Sequence, residues 1–394
     1  MRAVEKLGVK LEAAFASNHL DESVFSRLAV EALAQARPEL DAEAVLRSVL
    51  EGGASHEVGA IEGQLSIPLH RGHRFTVFGL FWLESSPRIV QNRAAGGLLL
   101  LQGSGIHADF RFEESRRVSS RLSFGSIRLE SARTLGPGDV IPLRTDLARV
   151  TFHLERPCFG LAVTLEPASG HAVELFPPTV AYASQPTDPR LEARIAGLRV
   201  LRAIEPGRAL EASLKMVRSA DLETVWRVLS SAKSEELGVE GIRRLRDAFR
   251  DRFGGELADT VDRALLEARR RARIIQLRDG ESDAELRFFL ALILNLPSRE
   301  PIDSSIRERF KDVAPRSKID GWLEALSGVE RIGIDLKDAM NRALLASLLD
   351  GRSDEQALDD LSESFSRSSV KRAQKRILDH RARIRRTTLE PLFR

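Results

Sequence analysis

Apolar and polar positions divide the chain into three stretches. Over roughly the first 55 residues, VFSRLAVEALAQA and DAEAVLRSVLEG repeat apolar residues at intervals of three and four, the spacing of one helix face. Asp41 precedes the second and predicts its N-cap, and Gly52-Gly53 predicts the break that follows. From about Ile61 to Leu175 the period changes. FTVFGLFW, GLLLLQG, IHADFRFE, GSIRLES and FGLAVTL are short, alternating or wholly apolar, and set apart by Gly, Pro and Ser. Many short strands at such close spacing predict a sandwich or barrel, including the jelly-roll type. Phe176-Pro177-Pro178 through SQPTDP then punctuates the chain as a domain exit.

Beyond about Pro189 the pattern is helical to the end. Ser282 with Glu285, and Ser353 with Gln356, precede apolar runs at the spacing of a capping box, in which two side chains satisfy backbone donors at a helix start. LRFFLALILNL is apolar nearly all round and predicts the central helix of this region, ended by Pro297. No internal repeat is present. The expected fold is α+β: an N-terminal helical segment over 1–58, a β-barrel over 59–184, and a C-terminal all-helical domain over 185–394.

Composition narrows the function classes. The longest purely apolar run, Phe288 to Leu294, is far short of the roughly 20 residues a bilayer crossing needs. Charges run through MRAVEKLGVKLEAAFA where a signal core would be apolar, so a cytoplasmic location is expected. Cys158 is the only cysteine, which excludes an internal disulfide and a thiolate metal cluster; within FHLERPCFGLAVTL it reads as a buried thiol rather than a nucleophile.

One segment carries a family resemblance. SPRIVQNRAAGGLLLLQG follows the strand-like HRFTVFGLFW, and LGPGDVIPLRTDLARVTFHL holds a Gly-Asp turn followed by a Pro. With GSGIHADFRFE, TFHLERPCFGLAVTL and LRFFLALILNLPSRE, the chain resembles a group of bacterial proteins that carry a cysteine-dioxygenase-like cupin, a small jelly-roll barrel, between helical regions. The resemblance implies a metal site built from a His-x-His pair, a Glu and a second-motif His. Counted back from Gly103, those positions fall on Val90, Asn92 and Gly96, and the ten-residue step from Asp139 reaches Arg149. An iron, manganese or zinc site needs three or four nitrogen or oxygen donors within about 2.0–2.2 Å. Val and Gly supply none, Asn92 is a weak donor, and Arg149 brings a fixed cation to the place of a dication.

The resemblance therefore implies a metal-free, cofactor-free barrel, a pseudoenzyme acting as a binding, regulatory or scaffold protein for a small ligand or a protein partner. The alternative is a cupin-type enzyme, either a dioxygenase-like oxidoreductase under a different ligand alignment or a metal-free isomerase using acid–base chemistry. Its catalytic candidates are His153, His107 and Arg149, and the ligand-binding set is Asn92, His107, Arg149, Thr151 and His153. Period-two alternation sends Arg149, Thr151 and His153 inward and Val150, Phe152 and Leu154 outward. That row reads either as a hydrogen-bonded filling of the metal's space or as an anion pocket in which Arg149 holds a carboxylate or phosphate and His153 moves a proton. His107 alternates with Asp109 and Arg111 as a polar strand face or a second ligand-contacting row. His70 and His73 read as a solvated loop pair, and GPGD as a tight turn lacking the ending of a phosphate loop.

Charge enters last. The net charge is only +3, and of the 60 basic residues nine are Lys. SRSSVKRAQKRILDHRARIRRTTLEPLFR concentrates ten Lys or Arg against two acidic residues. Val370, Ala373, Ile377, His380 and Ile384 form a stripe within it, which predicts a docked helix with a solvated basic face. Neutralising Arg381, Arg383, Arg385 and Arg386 is then expected to leave the fold intact. Nucleic acid is the disfavoured partner, because no aromatic residue interleaves the basic ones before Phe393. A homodimer remains open.

Overall fold

The computed structural model describes residues 2–18, 21–51, 59–61, 64–83, 88–92, 94–155, 158–166, 172–183, 188–328 and 332–394. The expected break at Gly52-Gly53 and part of SQPTDP lie outside them. Helices α1 (Arg2–Ser17), α2 (Glu22–Ala36) and α3 (Ala42–Leu50) come first. Among the described residues twelve strands follow: β1 (Gly59–Ile61), β2 (Gln64–Arg71), β3 (Phe75–Trp82), β4 (Ile89–Gln91), β5 (Gly96–Gln102), β6 (Gly105–Arg117), β7 (Leu122–Leu135), β8 (Val140–Leu143), β9 (Ala148–His153), β10 (Cys158–Leu165), β11 (Val173–Phe176) and β12 (Val180–Ala183). The C-terminal region holds α4 (Pro189–Ile204), α5 (Pro206–Ser219), α6 (Leu222–Ser230), α7 (Ser234–Phe253), α8 (Gly255–Asp279), α9 (Ala284–Asn295), α10 (Arg299–Arg309), α11 (Pro315–Ala325), α12 (Ala339–Leu349), α13 (Asp354–Ser364) and α14 (Arg367–Ile384). The fold is α+β, and no helix among the described residues is long and apolar enough to cross a membrane.

Local chemistry sets the helix starts. Asp21, Asp41, Asp188, Asp221, Asp283 and Asp338 each accept a backbone N–H in the first turn, satisfying a donor that has no partner within its helix. Ser353 and Gln356 form the expected capping box. The other expected box is corrected. The cap of α9 is Asp283, which accepts from Leu286 N at 2.8 Å, while the Ser282 amide is held by Glu281 and Glu285 takes Lys318 Nζ at 2.8 Å. A carboxylate one residue nearer the helix outcompetes the hydroxyl as acceptor.

The strands form two antiparallel sheets. One runs β1-β2-β3-β10-β5-β8, and the other closes as a barrel in the order β11-β12-β7-β6-β9-β4. The GPGD turn ties β5 to β8: Gly138 adopts φ 92°, its N–H donates to Leu100 O at 2.7 Å, and Asp139 Oδ2 accepts from Gly136 N. Helices α1 to α3 cover the first sheet, packing Leu7, Leu11, Phe25 and Leu33 against Phe75, Val77, Leu99 and Leu161. Contact at α1 is close: a Cβ on Gly8 would lie 2.2 Å from His70 Nε2. His70 is thus a half-buried residue of β2 packed on a helix, not one of a solvated loop pair, and the His73 amide donates to Glu12 at 3.1 Å.

Ile106, Ala108, Phe110, Val150 and Phe152 on one face of β6 and β9 share a core with α9 and the helices around it. A second core joins Leu122, Phe124, Val180 and Tyr182 of the barrel to α4, α6, α7 and α8. Ser119 and Arg121 at the β6–β7 hairpin reach Glu223 of α6 at 2.7 and 3.1 Å.

Helix α9 is buried from Phe288 through Asn295, and burial of each large apolar side chain is worth about 1.5–3 kcal/mol. Its last-turn carbonyls need donors in a place water does not reach. Arg270 Nη1 donates to Ile293 O at 2.8 Å and Arg271 Nη1 to Leu294 O at 2.5 Å, both from α8.

The stripe on α14 packs as expected through Val370, Ile377 and Ile384, but the basic face is corrected at one residue. Arg381 is 1% exposed and bonds Asp354 and the Arg352 carbonyl, so its charge is part of the fold; Arg383, Arg385 and Arg386 are exposed. Arg381 lies eleven residues after Val370, about 20° from it round the helix, at the edge of the apolar stripe, where its long stem packs and its head finds α13.

Candidate functional site

The site lies on the face of the second sheet opposite the shared helical core. Strand register places it: Arg149 on β9 is the Cα partner of Asp109 on β6 and of Val90 on β4, and Thr151 is the partner of His107. Alternation along β9 sends Val150 and Phe152 to the helices, and the opposite face meets the small apolar cluster of Leu80, Trp82, Leu98, Leu100, Leu135 and Ile141. Trp82 Nε1 donates to Thr151 O at 2.9 Å, joining the two sheets behind the site.

His107 is the hub. Its Nδ1 lies 2.9 Å from Thr151 Oγ1 and its Nε2 3.3 Å from Asp109 Oδ1. The hydroxyl, the ring and the carboxylate form one hydrogen-bonded line across β6 and β9. Ser131 Oγ donates to Asp109 Oδ2 at 3.0 Å, and Arg149 Nη1 donates to Arg144 O at 2.8 Å. Burial alone would raise the Asp109 pKa, but the His107 hydrogen bond, Ser131 and the Arg149 charge outweigh it and hold the carboxyl below its usual range. Asp109 is an anion facing a fixed cation.

The chain Thr151–His107–Asp109 has the composition of a nucleophile, base and orienter, but its order relative to solvent is reversed. The Thr151 hydroxyl is the buried end, and the partly exposed end is the carboxylate.

The other expected residues take further partners. Asn92 follows β4 and its Oδ1 accepts the Ala94 amide at 3.3 Å, a local turn. Arg111 leaves the His107–Asp109 row to bond Glu130 at 2.7 Å, past a register shift between Asp109 and Phe110. His153 ends β9: its ring stacks on Phe152 with centroids 5.4 Å apart, and Nε2 lies 3.5 Å from Arg278 Nη1. Arg278, fully buried on α8, also donates to His153 O at 2.7 Å and Leu154 O at 3.1 Å and lies over the Phe152 ring. Sequence reasoning gave Arg278 and Ser131 no role. The available signal was Arg271, Ile274 and Arg278 at three- and four-residue spacing, with arginines where the stripe of a buried helix should be apolar.

At the positions where the resemblance implies metal ligands, the side chains present supply no imidazole and no carboxylate. Val90 and Arg149 face one another across two strands and neither coordinates. At Gly96 a Cβ would lie 1.9 Å from the Val163 carbonyl oxygen, so this backbone accepts no carboxylate side chain there. Among the described residues no three His, Cys, Asp or Glu side chains converge as a metal site.

Cys158 on β10 is 5% exposed, and burial pushes its pKa up to about 12, with the Glu155 charge adding to the shift. The folded thiol is therefore expected to resist iodoacetamide at pH 8 and to react at once in denaturant. Because the folded pKa is raised, its contribution to stability is complete below about 9 and declines as pH rises toward 12. Alkylation of the folded protein at the unfolded rate would refute the burial.

No protein-family profile matches the chain, and no curated protein matches it. Solved structures give partial matches. A deletion mutant of Bacillus subtilis oxalate decarboxylase aligns at 13% identity over 30% of this chain and 30% of that one, with a TM-score of 0.22. Hydroquinone 1,2-dioxygenase, in complex with Cd2+ and 4-hydroxybenzonitrile, aligns at 15% identity over 26% of this chain and 63% of that one, with a TM-score of 0.21. Streptomyces albus HEPD, with 2-hydroxyethylphosphonate and Fe(II), aligns at 13% identity over 27% of this chain and 22% of that one, also at 0.21. The aligned part spans less than two thirds of each of these proteins, and what they bind or transform belongs to them.

Proposed function

We propose that this chain is a degenerate cupin, related to cysteine-dioxygenase-like barrels, that acts without catalysis as a binding or regulatory scaffold for a small ligand or a protein partner. The observation that supports this reading is the register that sets Arg149, at a position where the resemblance implies a ligand histidine, between Asp109 and Val90. An arginine there balances charge but cannot act as a Lewis acid or activate oxygen. Metal-free acid–base chemistry is the weaker alternative, because His107 is held at both nitrogens inside the barrel and His153 is turned toward Arg278.

Elemental analysis tests the reading. The purified protein is expected to carry no stoichiometric iron, manganese, nickel or zinc, and about one metal per chain, lost in His107→Ala, would overturn it. A second measurement tests the register: Val90→His, Asn92→His and Arg149→His together are expected to take up metal, while the parent and Arg149→His alone do not. A folded triple variant without metal would mean that these three side chains do not converge.

A further inference from the structure

Helix α4 turns Leu191, Ile195, Leu198 and Arg202 inward and packs on α5, α6 and α7. Its opposite face is apolar and in solvent. Ala193, Ala196, Gly197, Val200, Ala203 and Ile204 are all exposed, Val200 at 59% and Ile204 at 70%, and at 100° per residue they fall within an arc of about 120°. A helix face of a monomer should be polar there. Gly197 sharpens the point. A Cβ at that position would meet nothing within 4 Å, so the chain gains no packing from a glycine that weakens the helix relative to alanine.

We propose that this face is the contact surface of a homodimer in which α4 packs antiparallel on α4 of a second copy. The stripe is complementary to itself in that direction only. A two-fold between Leu198 and Arg199 sets Ile204 of each copy against Ala193 of the other and Val200 against Gly197, a large residue into a small one every time. A parallel pair would set Ile204 on Ile204 and leave a gap at Gly197. Charge agrees with the direction. Arg190 and Arg194 lie on the same flank as Glu205, at opposite ends of the helix, so antiparallel packing brings Arg194 of one copy beside Glu205 of the other. Glu205 is exposed at the end of α4, and its one ion pair among the described residues is to the exposed Arg208 at 2.8 Å. Arg199 of the two copies flanks the crossing as a like-charge pair. A single helix face also buries less than the roughly 800 Å² per partner of a standard stable interface, so the dimer is concentration-dependent.

Sedimentation velocity on the full chain over ~1–500 µM spans the range expected of such an interface. A reversible monomer–dimer equilibrium is expected, weakened at least ~10-fold by Val200→Asp or Ile204→Asp, loss of one hot-spot contact. Direction is read separately. Ala193→Cys and Ile204→Cys, mixed under mild oxidant, are expected to give a covalent heterodimer that neither gives alone, with Cys158 buried and silent. A monomer at every concentration, a dimer unaffected by either Asp variant, or ready cross-linking of each single variant with itself would overturn the proposal.

Discussion

Arg149→Ala is expected to lower the unfolding free energy by roughly 3 kcal/mol, through the cavity left by a buried side chain, the stranded Arg144 carbonyl and the lost attraction to Asp109. The guanidinium is 1% exposed, holds the Arg144 carbonyl, and lies across the strand from Asp109. Asp109→Asn in the same chain should recover part of the loss, because the remaining residue then carries no charge to be desolvated. Urea unfolding of the parent, both single variants and the double variant measures the coupling. A pH series adds a sign. The folded Asp109 pKa is depressed, so its contribution is complete above the usual carboxylate range and is lost as pH falls through the folded value. Without Arg149 that loss should begin at a higher pH. Stability within about 0.5 kcal/mol of the parent would mean that the row is not a charge pair in any energetic sense.

Arg278→Met should cost roughly 3 kcal/mol although it preserves the stem. It strands the His153 and Leu154 carbonyls, and each unsatisfied buried acceptor costs about 1–3 kcal/mol. Lysine should not rescue it, since a single ammonium cannot span two carbonyls and lie flat on Phe152 as the guanidinium does. Hydrogen exchange at the end of β9 reads the effect locally, with faster exchange expected at Leu154, whose amide donates to Ser104 O at 2.7 Å. Unchanged protection there, with unchanged stability, would show that the helices do not brace the barrel through this residue.

Both arginines show why the sequence was legible in part. The period of apolar residues determined the order of helical, strand and helical regions, because burial of one face enforces the same spacing wherever an element forms. It also determined the capping roles of Asp41 and Ser353 and the burial of LRFFLALILNL, since these depend on neighbours within a few residues. Alternation along RVTFHL placed Val150 and Phe152 on one face and Arg149 and Thr151 on the other, a consequence of backbone pleat alone.

Strand register was beyond its reach. That Asp109 faces Arg149, that His107 faces Thr151 and that His153 turns to Arg278 are decided by pairings across 40 to 125 residues, and nothing local distinguishes one partner from another. The same holds for Arg381, which the charge pattern placed in solvent and which Asp354 draws into the fold. A long side chain can follow either the apolar stripe or the water beside it, and only the packed helices, by offering a carbonyl and a carboxylate at that depth, made burial the lower free energy.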